Sequence, residues 1–320
     1  MCLCSRYPRR VTSRPRTAAI IGWLLLLLPA GCVPAIAGPN PSPSATTATP
    51  AHPDFTEPGA AAAMVNALLV EAGSERALMV EIAGDNVQVS VLADDGKPVT
   101  WAHRDGTSAE VPSDLAYVDQ ATFDVSDFNL SNVGGLFRAA TSMSGSDEKQ
   151  SLTIVDYSGG EVMMSVSTFP ESRTVFFNPD GSLLDLLNFD APGGITKGID
   201  EATEGRLTVY SVTVESDQGV WADYPGDEEG TTERRTRTAK VPVTSNIRNE
   251  TGDLPVFLVA GIDPDVIWKL VDATRGNEDV PEDAQWSVVI DDRERTGAPR
   301  MYFRIGPKTI VTDLNGTVIA

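Results

Sequence analysis

The chain has 320 residues, of which 41% are hydrophobic, enough for one or two packed cores and too many for a chain that is disordered throughout. Its 45 acidic and 25 basic side chains give a formal charge of −20, and because the first 31 residues hold five arginines and no acid, the remainder carries −25. Such an acidic body repels phosphate backbones, which excludes nucleic acid as its partner.

The N-terminus has the layout of an export signal. Arginines precede an apolar run from Ala18 to Pro29, and a basic region followed by a short hydrophobic segment is typical of exported proteins. The run of about a dozen residues is shorter than the ~20 that span a bilayer as a helix. The pair Arg9-Arg10 permits twin-arginine export, but Val11-Thr12 follows where that signal has an apolar pair, so the general secretory route is favoured.

Cys32 is the one cysteine outside this signal, and it directly follows Leu28-Pro29-Ala30-Gly31. The junction resembles a bacterial lipobox, at which a diacylglyceryl group is attached to the cysteine and the signal is removed just before it. The two small residues match that pattern, whereas the proline stands where an aliphatic residue is usual. The resemblance implies a signal peptide over residues 1–31 and a lipoprotein with fatty-acyl (palmitate) chains at Cys32, anchored on the extracytoplasmic face of the cell membrane.

A second cleavage site competes with the lipobox. Ala35-Ile36-Ala37 has the small-x-small pattern of an ordinary signal-peptidase site. Cleavage there discards Cys32 and releases a secreted protein that begins at Gly38. The Ala-, Gly- and Asp-rich composition of the chain is typical of a GC-rich actinobacterium.

Residues 32–57 are rich in Pro, Ser, Thr and Ala and show no apolar periodicity, which predicts a disordered tether. Its roughly 25 residues reach about 25–30 Å as a flexible coil. This length separates a membrane anchor from a folded domain.

Four blocks follow the tether, each with a short helix and about three strands. The helices are predicted to start near Pro58, Ser131, Pro192 and Pro264, and three of these starts carry a proline where the missing N–H is not needed. The strands alternate apolar and polar residues and are separated by glycine-containing turns. This pattern predicts antiparallel meanders with one buried face.

Similar segments recur at a longer period. Val99-Thr100-Trp101-Ala102 resembles Val220-Trp221-Ala222, and Asn178-Pro179-Asp180-Gly181-Ser182 resembles Asp313-Leu314-Asn315-Gly316-Thr317. The helix starts repeat at a comparable offset. Coincidence between two β-rich stretches is the alternative to a duplication.

The sequence therefore predicts an α+β protein with two homologous halves, 58–188 and 189–320. Each half consists of helix-plus-antiparallel-meander units whose helices pack on one sheet face. This element order resembles the tandem modules of PepSY-like and β-lactamase-inhibitor-protein-like secreted proteins. The resemblance implies a non-catalytic binding role.

The sequence offers no catalytic, metal or cofactor site. His52 lies in the tether, which leaves His103 at the end of a strand without a nucleophile motif beside it. The body lacks the cysteines and histidines of a zinc site, its acidic groups lack the spacing that wraps calcium, and no glycine-rich phosphate loop occurs. A cell-wall hydrolase that acts through two carboxylates is the remaining enzyme alternative, and no pair is singled out for it.

Four side chains are candidates for a binding face. Trp101 and Trp221 occupy similar local sequences, and Arg235 and Arg237 share one side of a strand within an acidic background. The alternatives are a core position for the tryptophans and intramolecular charge balance for the arginines. The predicted function is a membrane-tethered extracytoplasmic binding protein for an unknown envelope protein, and the alternative is a carrier of a lipid or another apolar ligand.

Mass spectrometry of the protein taken from its native membrane tests the anchor. We expect a denatured mass that corresponds to a chain beginning at a diacylated Cys32. A chain that begins at Gly38 would contradict the anchor and the tether together.

Overall fold

The computed structural model describes residues 53–113, 120–169, 173–277 and 279–319, which belong to one unit of the chain, Pro50–Ala320. The predicted signal over 1–31, Cys32 and most of the predicted tether lie outside these residues. Within the described ranges, none of the helices is both long and apolar enough to cross a membrane.

Four α-helices in the described part of the chain begin close to the predicted starts. They are α1 (Ala60–Ala72), α2 (Val133–Ser144), α3 (Pro192–Thr203) and α4 (Pro264–Thr274). Helices α3 and α4 begin at a proline, which has the helical φ and needs no N–H partner there. Asp263 caps α4, because its carboxylate accepts the N–H of Asp265 at 2.9 Å.

The strands form two antiparallel sheets of seven strands each. The first sheet has the order β4-β3-β2-β1-β5-β6-β7, and the second has the order β12-β11-β10-β9-β14-β15-β16. Two further short strands, β8 and β13, pair with each other. The α+β class is therefore confirmed, with one large sheet in each predicted half.

The strand bounds follow the chain. The first sheet comprises β1 (Met79–Ile82), β2 (Asn86–Leu92), β3 (Pro98–Arg104), β4 (Thr107–Val111), β5 (Ser151–Ser158), β6 (Glu161–Ser167) and β7 (Thr174–Phe177). The second half holds β8 (Thr208–Val209), β9 (Ser211–Glu215), β10 (Gly219–Pro225), β11 (Thr232–Arg237), β12 (Thr244–Arg248), β13 (Phe257–Leu258), β14 (Trp286–Asp291), β15 (Arg300–Ile305) and β16 (Lys308–Thr312).

Each sheet contributes one face to a buried apolar cluster. In the second sheet, Val214 lies opposite both Val220 and Val288, and all three side chains are fully buried. Ile195 of α3 and Ile267 of α4 belong to the same cluster. Because side chains alternate along a strand, the residues between these valines point away from the cluster.

The folded unit begins inside the segment that the sequence assigns to the tether. Phe55 is 2% exposed and belongs to the first cluster. Its N–H donates to the carbonyl of Gly84 at 2.8 Å, and its ring meets the ring of His103 edge-on, with 5.7 Å between centroids. The tether predicted for residues 32–57 therefore ends before Phe55.

A glycine allows α3 to approach the second sheet closely. A Cβ atom added at Gly198 would lie 2.6 Å from the ring of Phe189 and 2.9 Å from Cγ2 of Val220. Both neighbours are buried side chains of the second cluster. Position 198 has no room for a larger residue.

The substitution Gly198→Ala tests this contact against Gly193→Ala in the first turn of the same helix. We expect the first change to lower the free energy of unfolding by about 1–3 kcal/mol through overpacking. At Gly193 an added Cβ meets nothing within 4 Å, so this change should be neutral or stabilise the protein by up to about 1 kcal/mol. Urea unfolding of the full chain measures both, and equal midpoints would contradict the close approach.

Candidate interaction face

The side of the second sheet that points away from its apolar cluster is half-exposed and polar, and we call it the outer face. Trp221 lies opposite Thr213, Thr213 opposite Val289, and Val289 opposite Tyr302. These four side chains form a row across neighbouring strands. Their chain neighbours, such as Val220, point into the cluster instead.

Arginines surround this row although the chain as a whole is strongly acidic. Five arginines lie on the outer face or at its edge, namely Arg234, Arg248, Arg293, Arg300 and Arg304. Four of them are paired with carboxylates. Arg304 has no ion-pair partner among the described residues, and its side chain is exposed.

Asp223 organises the Trp221 end of the face. Its two carboxylate oxygens accept hydrogen bonds from Nε and Nη2 of Arg234, each at 2.8 Å. Arg248 donates to the same carboxylate at 3.0 Å, and the hydroxyl of Ser211 donates at 3.2 Å. The hydrogen bond with Asp223 raises the pKa of Arg234. The fork places Cζ of Arg234 at 5.9 Å from the centre of the Trp221 ring.

Tyr302 is held in a similar way at the other end of the row. Cζ of Arg293 lies 3.8 Å from the centre of the Tyr302 ring, within cation–π distance. Arg293 forms a second fork, on Asp291, with bonds of 2.8 and 2.7 Å. Burial first, and then the charge of Glu294, raise the pKa of the Tyr302 hydroxyl, so this ring remains neutral at physiological pH.

A shallow depression of about 530 Å³ lies beside Trp221 at the end of the sheet. Its wall is mainly polar and includes Glu215, Asp217, Gln285 and the exposed Arg304. The depression therefore extends the outer face by a recess with hydrogen-bonding groups of both kinds.

The outer face has the composition of a protein interface. Tryptophan, tyrosine and arginine are the residues that most often carry the binding energy of protein–protein contacts. Here the two rings and the guanidiniums beside them are already held by carboxylates, which lowers the entropy that binding would cost.

The described residues hold no group of three or more His, Cys, Asp or Glu side chains arranged to bind a metal ion. Nδ1 of His103 lies 3.0 Å from the hydroxyl of Ser108 in the first sheet, and Phe55 covers its ring edge-on. These contacts satisfy the imidazole within a strand pair.

The structure does not bring the two predicted tryptophans together. Trp221 lies on the outer face of the second sheet, whereas Trp101 lies in the first sheet opposite Val89 and packs against the first apolar cluster. In the strand order, β2 rather than β3 takes the place that β10 has in the second sheet. The predicted equivalence of Trp101 with Trp221 is therefore wrong by one strand.

The two predicted arginines lie on the opposite side of β11 from the outer face. Arg237 has no exposed surface. It pairs with Glu201 of α3 and donates to the carbonyls of Val241 at 2.9 Å and Asp185 at 2.8 Å. Because every part of its guanidinium is enclosed, Arg237 ties α3, β11 and the chain between the halves together and is not available to a ligand.

Arg235 points to the same side as Arg237. Its Nη1 donates to the carbonyl of Glu204 at 2.9 Å, and its Nη2 lies 3.4 Å from the carboxylate of Glu161 in the first half. The guanidinium therefore bridges the two halves of the unit. This is the intramolecular charge balance that the sequence offered as the alternative.

The sequence contained a signal for Arg234 but not for its partners. Arg234 alternates with Arg235 in a strand, so the two side chains must take opposite faces. The pairing of Arg234 with Asp223, and of Arg293 with Tyr302, depends on strand register and on a loop. Neither pairing follows from spacing along the chain.

No family model matches the chain, and a search of curated proteins found no match. The resemblance to PepSY-like and β-lactamase-inhibitor-protein-like modules therefore stays a prediction.

The substitution Asp223→Asn tests the organising role of this carboxylate. We expect it to lower the free energy of unfolding by about 2–3 kcal/mol, because two arginines lose a charge-assisted partner at a site that is 13% exposed. The control is Asp227→Asn, whose side chain is 87% exposed and bonds a single arginine. That change should cost less than about 1 kcal/mol. Urea unfolding compares them, and equal losses would contradict the role assigned to Asp223.

Proposed function

We propose that this protein is a membrane-tethered extracytoplasmic binding lipoprotein without catalytic activity, and that its outer face docks an envelope protein. The observation that carries the proposal is the row from Trp221 to Tyr302, in which carboxylate-bound arginines flank both rings. The acyl chains at Cys32 and the tether after it would hold this face outside the cell membrane.

We also infer that the two halves are homologous. Ala77 forms an isolated bridge with Phe123, and Val209 pairs in the same place with Phe257 in the second half. The second pair lies 132 and 134 residues after the first, and α3 begins 132 residues after α1. The two sheets also have the same order of strands, which supports a duplication.

A turn at the end of each half supports the same inference. Asn178 N–H donates to the carbonyl of Ser182 at 2.8 Å, and Asp313 N–H donates to the carbonyl of Thr317 at 3.0 Å. Each turn is followed by an isolated bridge back to the last strand of its sheet. The halves thus share their ends as well as their strand order.

The packing of the helices on one face of each sheet completes this interpretation. Val65 and Leu68 of α1 share the first cluster with Val89 of β2, and Ile199 of α3 shares the second cluster with Val220 of β10. With the helices on one face, the other face of each sheet is left for solvent or a partner.

The two halves differ on that other face. In the first sheet, Ser90 and Thr100 lie there, both are buried, and their hydroxyls are hydrogen-bonded to each other at 2.8 Å. In the second sheet the corresponding face carries Trp221, Tyr302 and arginines. A duplicated module would thus have kept one structural half and specialised the other for binding.

Site-specific photo-crosslinking in the native cell envelope tests the proposal. We expect benzoylphenylalanine in place of Tyr302 to yield an adduct with one defined protein. The same probe in place of Val70, which is 81% exposed on α1 in the first half, serves as the control and should yield none. Trp221→Ala should reduce the Tyr302 adduct by about tenfold, the effect of removing an interface tryptophan.

Three results separate the possible outcomes. No adduct at Tyr302, or the same adduct at both positions, would overturn the interaction face. An adduct that Trp221→Ala leaves unchanged would place the partner elsewhere on the sheet. Loss of the adduct in a folded Trp221→Ala protein, with an unchanged unfolding midpoint, supports the proposal.

A further inference from the structure

An apolar pocket lies at the junction of the two halves, far along the chain from the tryptophan row. Its volume is about 410 Å³, within the ~300–1,000 Å³ range of small-ligand sites. Met143 at the end of α2, Phe176 of β7, and the leucines 183 and 186 contribute its apolar wall. We call it the junction pocket.

The apolar side chains of this pocket are unusually exposed. Met143 is 46% exposed and Leu186 is 55% exposed, whereas Phe176 at the floor is buried. Contiguous exposed apolar surface on a soluble domain marks a site that something covers. An apolar ligand that covered Met143, Leu183 and Leu186 would gain the free energy of removing them from water.

Two cations stand at the edge of this apolar wall. Arg173 and Lys240 both line the pocket, and the described lining includes no acidic side chain. Arg173 is held in place because Nη1 donates to the carbonyl of Ser144. Lys240 is exposed, and its ammonium group has no hydrogen-bond or ion-pair partner within the described ranges.

The charge of this edge contrasts with that of the chain. With a formal charge of −20, most of the surface repels anions, so two cations without a lining carboxylate are a local exception. An arginine and a lysine beside each other suit a carboxylate or a phosphate. The apolar wall suits a hydrocarbon chain.

We propose that the junction pocket binds a single-chain amphiphile with an anionic head, a carboxylate or a phosphate. The acyl chain lies over Met143, Leu183 and Leu186, and the head pairs with Arg173 and Lys240. This binding is independent of the outer face and gives the apolar-ligand alternative a defined site. A free phosphate would leave the apolar wall uncovered, and an uncharged alkyl chain would leave the cations without a partner.

NMR of ¹³C-methyl methionine in the full chain with Cys32→Ser tests the proposal without detergent. We expect myristate, added below its aggregation limit, to shift the Met143 methyl signal, which the variant Met143→Leu identifies. The signal of Met301, 1% exposed in the second cluster, should not move. Inorganic phosphate alone should leave both signals unchanged.

Three variants measure the two parts of the site. Leu186→Asp should weaken myristate binding at least tenfold, since burying a leucine is worth about 1.5–3 kcal/mol. Lys240→Glu should weaken it by a similar factor and make it less sensitive to salt. The control is Leu207→Asp, because Leu207 is an exposed leucine, 82% accessible, outside the pocket. It should bind myristate like the parent chain.

The opposite results overturn the proposal. A Met143 signal that myristate does not shift, or equal binding by Leu186→Asp and Leu207→Asp, would show that the pocket is not the site. Dodecanol binding as tightly as laurate, with no effect of Lys240→Glu, would remove the anionic head from the proposal. Binding to anionic phospholipid vesicles that needs Leu186, without binding of monomeric myristate, would assign the surface to the membrane instead.

Discussion

The alternation of side chains along a β-strand is the constraint on which this structure depends. In the second sheet it separates a row of buried valines, such as Val214 and Val288, from the polar row that carries Trp221 and Tyr302. A shift of register by one residue would exchange the two rows. The apolar cluster therefore fixes which side chains reach the outer face, and the binding surface is a consequence of the core.

The same alternation divides the arginines of β11 between two tasks. Arg234 takes the outer face with Asp223, while Arg235 and Arg237 take the inner side and hold α3 and the other half. Burial of a charge as complete as that of Arg237 is tolerated only with partners for its N–H groups. Its contacts with Glu201 and the carbonyl of Asp185 supply them, so this arginine stabilises the junction at which the apolar pocket lies.

Local patterns sufficed to predict the elements. Proline at a first helical turn and the alternation of valines located the helices and the meanders, because both signals act within a few residues. Register and pairing act over longer distances, and this is where prediction ended. The similarity of the segments around Trp101 and Trp221 had an offset of 120 residues, whereas the helices repeat at 132, and that mismatch was the available sign that the two strands are not equivalent.

Charge placement explains how an acidic chain can present both surfaces. The outer face sets its arginines against carboxylates such as Asp223 and Asp291, so its guanidiniums are oriented and its net charge is small. At the junction pocket, Lys240 has no such partner in the described part of the chain, and its charge stays available. Paired arginines favour a partner chosen by shape and stacking, whereas an unpaired cation beside leucines favours an anionic head. The two surfaces therefore select different classes of ligand within one fold.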